Sequence, residues 1–198
     1  MLTSIRGLMA ATLLAGGMLT AAPAFADEAD PPSEFTITGN VALVSDYRFR
    51  GLSFTAGDPA IQGGVDLTAG SFYAGAWASN VDFGDDTDAE VDVYGGYRGA
   101  FGETGIGYDV GLLQYIYPGD RNPGITKADT LEAYAAVSWS FLSAKYSYSL
   151  GDTFGVNNSS GTWYLDLSAN YPITEALTLN LHYGIQDFSG SNAGVKND

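Results

Sequence analysis

The chain has no cysteine and a single histidine, His182, among its 198 residues. Without thiols there is neither a disulfide framework nor a thiolate metal site, so stability has to come from strand pairing and burial. Positive charge is also scarce: eight Lys and Arg face 23 Asp and Glu, a net charge of −15. That balance argues against nucleic acid and against attraction to anionic lipid. Beyond the N-terminus no segment reaches 18 uninterrupted apolar residues, which excludes a helical membrane-spanning protein.

What is abundant is aromatic side chains and glycine: 13 Tyr, 10 Phe, 3 Trp and 26 Gly, at a mean hydropathy of zero. The blend suits a membrane β-barrel, whose strands are apolar on the lipid side and aromatic at both interfaces. Soluble sandwiches are strand-rich too, so composition does not decide. The N-terminus is an export address. Arg6 is its basic element, 8–20 an apolar run too short to span a bilayer, and Ala24-Phe25-Ala26 a cleavage site before Asp27. Cleavage after residue 26 removes Arg6 and leaves seven bases against 23 acids, −16. Residues 27–34, with Pro31-Pro32, read as a disordered leader.

Side chains on a strand alternate between faces with period two. Residues 162–186 write that pattern twice: Trp163, Leu165, Leu167, Ala169 and Tyr171, then Leu177, Leu179, Leu181, Tyr183 and Ile185, with polar residues between them. Extending the reading predicts nine strands, over 35–50, 60–69, 72–81, 89–101, 106–117, 130–141, 142–150, 162–171 and 177–186. Phase is clean in all but 72–81. The connectors alternate between long and short along the chain, which puts every long one at one end. Outer-membrane barrels sort their loops in this way, with short periplasmic turns and longer outside loops. The expected fold is therefore an all-β, antiparallel, up-and-down transmembrane barrel over 35–198. Bacterial barrels have even strand numbers. Nine strands, with a chain that stops at Lys196-Asn197-Asp198, predict at least one further strand and ten or more in all.

Three ordered motifs carry a resemblance: Ser45-Asp46-Tyr47-Arg48-Phe49-Arg50-Gly51-Leu52-Ser53, Pro59-Ala60-Ile61-Gln62-Gly63-Gly64-Val65-Asp66 and Tyr73-Ala74-Gly75-Ala76-Trp77-Ala78-Ser79-Asn80-Val81. Tyr117-Pro118-Gly119 and residues 132–139 extend it over most of the mature chain. In these segments the sequence resembles the TorF family of proposed porins. The resemblance implies an outer-membrane β-barrel in a Gram-negative bacterium.

Charges on a lipid-facing strand face cost a few kcal/mol, so they are expected to point inward. The inward set reads Asp46, Asp66, Glu90, Asp92, Asp109, Glu132 and Asp166 against Arg48, Arg50, Arg98 and Lys145, seven acids to four bases, −3. Two readings follow: a weakly cation-preferring pore, or the same groups paired across a filled interior. About eight strands leave a barrel interior just filled by side chains. The inward glycines Gly64, Gly96, Gly107 and Gly111 would open a narrow path. Arg48 and Arg50, two apart, would form a constriction for carboxylate or phosphate groups, or sit at the rim and pair with Asp46 or lipopolysaccharide.

Asp82, Asp85, Asp86 and Asp88 lack the glycine and closing glutamate of a calcium loop and read as a solvated acidic loop. His182 has no serine beside it in sequence and reads as a lumen-lining polar group. No catalytic, cofactor or metal site is expected, and the protein is not expected to be an enzyme. The expected function is passive diffusion of small polar solutes or ions; the alternative is a structural or surface-interaction barrel without conductance. Expected partners are outer-membrane lipid, lipopolysaccharide, the solutes themselves and the barrel-assembly machinery.

Overall fold

The computed structural model describes residues 35–119, 126–190 and 196–197. The signal peptide and leader expected over 1–34 lie outside the described residues. Among the described residues the named elements are all strands: β1 (Thr36–Val44), β2 (Arg48–Phe49), β3 (Leu52–Ser53), β4 (Ala60–Ala69), β5 (Phe72–Asn80), β6 (Ala89–Ala100), β7 (Ile106–Ile116), β8 (Thr130–Trp139), β9 (Leu142–Ser149), β10 (Trp163–Thr174), β11 (Leu177–Asp187) and β12 (Lys196–Asn197). Nine of these are long, and they form one antiparallel sheet in the order β1-β4-β5-β6-β7-β8-β9-β10-β11, to which the two residues of β12 add at the far edge. Each long strand pairs with the next long strand in sequence, and at one end short turns such as Gly70-Ser71 and Ser140-Phe141 return the chain at once. Gly70 and Ser140 both take positive φ there, 59° and 57°.

The sheet is not closed: among the described residues β1 pairs only with β4, and neither β11 nor β12 reaches it. It curls nevertheless. The Tyr73 hydroxyl on β5 meets that of Tyr134 on β8, three strands away, a separation of about 14 Å at the usual strand spacing. Side chains standing off a flat sheet would not meet over that span. The inner face is therefore concave, and the hydrophobic core sits on it at the long-connector end. Tyr47, Phe49, Ala60, Val81, Leu113, Tyr115, Tyr117 and Ala128 are buried there, with Phe54, Trp77, Phe83 and Phe154 packed against them.

The outer face is the inverse. Ile37, Val41, Leu43, Ile61, Val65, Leu67, Val93, Val110, Leu112, Val137, Leu167, Leu179 and Leu181 are all exposed on it. Phase resolves in β5 as well, where Ser79 is buried while Phe72, Ala74 and Ala78 are exposed.

The first strand departs from expectation. Its alternation suggested 35–50, but β1 ends at Val44, and Ser45-Asp46 bend the backbone inward. Arg48↔Ser53 and Phe49↔Leu52 then pair as a tiny hairpin whose central residues, Arg50 and Gly51, take φ of 47° and 84°. Two positive φ values in a two-residue loop make this a type I′ turn. The bend reverses the phase. Tyr47 and Phe49, expected on the outer face, enter the core, and Arg48, expected inward, is exposed. The connector 45–59 thus folds onto the concave face as a plug.

The inward glycines were expected to widen the interior, and they do the opposite. Gly75↔Tyr94, Gly96↔Tyr73 and Gly111↔Tyr134 are direct cross-strand partners, and each glycine seats its partner's ring. A Cβ on Gly75 would lie 2.6 Å from the Tyr94 ring, and one on Gly111 2.5 Å from the Tyr134 hydroxyl. Gly107 is covered by Ser138 and Gly64 by Trp77. The missing side chains let tyrosines lie flat across the concave face. Gly96→Ala is expected to cost about 1–3 kcal/mol of urea stability, as overpacking does. Its Cβ would meet the Val110 carbonyl oxygen at 2.5 Å, and backbone cannot yield. Gly95→Ala, whose nearest atom is 3.3 Å away, should cost less.

Candidate functional site

The curled sheet brings the predicted inward residues together on its concave face in three tiers. At the long-connector end, Arg50 Nη2 donates to both carboxylate oxygens of Glu132, at 2.8 and 2.7 Å. The guanidinium also lies over three rings, 4.8 Å from the centre of Phe49, 5.3 Å from Phe154 and 4.3 Å from Tyr164. Burial works most strongly against the charge on Arg50, but Glu132 together with Tyr115 and Tyr164 outweighs it, so the guanidinium is held more firmly protonated than usual. The Tyr47 hydroxyl donates to Glu90 at 2.8 Å. Burial and the Glu90 charge push that phenol far above its ordinary range, so it remains a donor. Arg50 Nη1, Asp92 Oδ1 and Ser149 Oγ are buried in this tier without partners.

Of the two readings of Arg48 and Arg50, the shared constriction is not formed, and Arg48 follows the alternative of pairing with Asp46. Its Nε lies 2.7 Å from the Asp46 carboxylate on the exposed side of the connector. Asp46 also accepts from Ser53 Oγ at 2.5 Å and from Thr55 Oγ1 at 3.2 Å. The Ser53 bond is the largest influence on its carboxyl, which sits below the usual value against some opposition from burial. Asp46 and Arg48 therefore organise the plug from outside, and only Arg50 reaches the wall.

The middle tier is a tyrosine lattice. Tyr94 donates to Asp66 at 2.7 Å and Tyr73 to Asp109 at 2.6 Å. Arg98 Nη2 donates to Thr68 Oγ1 at 3.2 Å and lies 4.9 Å from the Tyr73 ring centre, while Lys145 Nζ is 4.2 Å from that of Tyr134. The charges here were expected from the sequence, but the tyrosines that link them were not. The signal was present in the Gly–Tyr alternations of β5 to β8, which become legible only once register is known.

The third tier lies toward the short turns. His182 Nε2 is 2.5 Å from Asp166 Oδ2 and 3.3 Å from the Tyr164 hydroxyl. Ser168, the register partner of His182, gives its proton to Asp166 Oδ1 at 2.6 Å instead of facing the imidazole. No serine–histidine hydrogen bond is formed at this point. In the acidic loop, Asp82 and Asp85 accept from the backbone N–H groups of Gly84 and Thr87. Among the described residues no group of three or more His, Asp or Glu is placed to hold a metal ion.

The inner wall thus carries Asp66, Glu90, Asp92, Asp109, Glu132 and Asp166 against Arg50, Arg98 and Lys145, six acids to three bases, −3. Loss of the Asp46 and Arg48 pair to the exterior leaves the sum expected from sequence unchanged. Comparison with curated proteins gave no match, and comparison with solved structures gave none. Residues 28–196 match the model of a family described as a bacterial protein of unknown function (Gcw_chp), and the chain belongs to that family.

Proposed function

We propose that the chain is the wall of an outer-membrane β-barrel whose polar lumen passes small polar solutes or ions. One observation carries this reading: every charged side chain in the long strands β1 and β4 to β10 points to the concave face. The outer face bears none until Asp187, the last residue of β11. A soluble sheet leaving such a face in water would expose an apolar patch far beyond the few hundred Å² usual for monomers. Lipid removes the difficulty, and strands of 8–12 residues have the length for a tilted crossing.

Aromatic pairs lie on the outer face toward the short-turn end: Phe72 with Tyr97, Phe101 with Tyr108, and Phe141 with Tyr171. A girdle of this kind fits one membrane interface. The resemblance to the TorF family fits the same reading, as does export to the outer membrane of a Gram-negative bacterium. Lipid, lipopolysaccharide and the assembly machinery are then its partners.

The test is single-channel recording of the protein refolded into planar bilayers. Conductance with a cation-selective reversal potential is expected from the inner-wall sum of −3. Silence across the voltage range, in this protein and in variants that free its inward-folded connector, would sink the channel and leave a structural barrel. Anion selectivity would reject the charge argument and point to Arg50.

A further inference from the structure

We propose that the connector 45–59 is a gate, held shut over the lumen by the ion pair of Arg50 with Glu132. The inference rests on the lumen reading and adds its regulation.

Two opposing sets of contacts meet in the docked connector. Aromatic packing holds it in: Tyr47 against Trp77 at 5.5 Å, Phe49 against Tyr115 and Phe154 at 5.5 and 5.3 Å, and Phe54 against Phe83 at 5.1 Å. Arg50 adds a latch to β8, 82 residues away in sequence. Against these stand costs that exist only while the connector is docked. Arg50 is held at φ 47°, a left-handed conformation that L-residues avoid. The partnerless Arg50 Nη1 and Asp92 Oδ1 are shut away from water. If the connector swings out, the turn relaxes and these atoms are hydrated. A segment stabilised by a few strong contacts and opposed by strain and unsatisfied polar groups has two accessible positions, the requirement for a switch. Beneath it, the tyrosine lattice and the Asp166–His182 tier continue the polar path that docking closes.

The absence of cysteine permits a direct test. Ser147 on β9 is flanked in register by Tyr134 on β8 and Tyr164 on β10, and it is buried. The Arg50 guanidinium, bound to Glu132 on β8 and lying over Tyr164 on β10, spans that position. In a Ser147→Cys variant refolded into phospholipid vesicles, a charged thiol reagent should react slowly. Adding Glu132→Gln should accelerate labelling by about tenfold or more, as expected for losing a buried charge partner. Arg50→Lys keeps the charge but loses the planar contacts, and should give an intermediate rate should Glu132→Gln fail to fold.

Circular dichroism establishes that each variant retains its sheet. Equal labelling of Ser147→Cys with and without Arg50→Lys in folded protein overturns the gate, as does rapid labelling with the latch intact. Bilayer recordings separate this from the channel reading. Faster labelling without conductance in any variant supports the gate and rejects the channel, whereas unchanged labelling with normal conductance does the reverse.

Discussion

Arg50→Ala should lower the urea stability of the refolded protein by about 3–5 kcal/mol, the usual cost of removing one member of a buried ion pair. Glu132 would keep a buried charge with only the Tyr115 hydroxyl, 3.4 Å away, to accept from. The guanidinium's stacking on Phe49, Phe154 and Tyr164 would go with it. Arg50→Gly should cost about 1 kcal/mol less than the alanine variant, since glycine takes φ 47° without strain. Exchanging both partners for apolar residues, Arg50→Met with Glu132→Leu, should recover most of the loss, because no buried charge remains. Where the connector undocks, water reaches Glu132 and the loss stops at the docking energy of the connector. A small change in global unfolding with fast thiol labelling at position 147 is then the signature. A loss below about 0.5 kcal/mol with no change in labelling would mean that Arg50 behaves as a surface residue.

Leu181→Lys and Asn180→Lys should differ sharply although they are adjacent on β11 and both side chains are exposed. Leu181 lies on the apolar outer face and is 57 % exposed, while Asn180 lies on the concave face opposite Asn170. In a bilayer, lysine near mid-membrane on the lipid side costs about 2–4 kcal/mol. On the lumen side it meets water and costs little. In a soluble sheet both substitutions would stay within about 0.5 kcal/mol, as exposed positions usually do. Urea unfolding of the two variants in lipid reads the difference directly. Equal, small effects would remove the membrane reading.

The alternation of β4 and β6 to β11 was visible because it is local. Each strand carries its own two faces, and every boundary from 60 onward fell within three residues of expectation. The same alternation misled at 45–50, where Tyr47, Arg48, Phe49 and Arg50 continue the phase of β1 on paper. The signal against it, an Arg-Gly pair set to turn back on itself, was present but weak, since arginine rarely leads a type I′ turn. Arg50 accepts that position because Glu132 holds it there, and a partner 82 residues distant is invisible to a local pattern. Likewise, Gly96 and Gly111 looked like openings until register placed Tyr73 and Tyr134 over them.

By itself, then, the sequence determined the strands, the parity of their connectors and the sorting of charge to one face, because period two and turn chemistry act over a few residues. Only the tertiary structure decided which connector folds inward, which charges neutralise one another and which glycines are seats for rings. Those depend on distances across a curled sheet, set by strand register and curvature, and no stretch of neighbouring residues contains them.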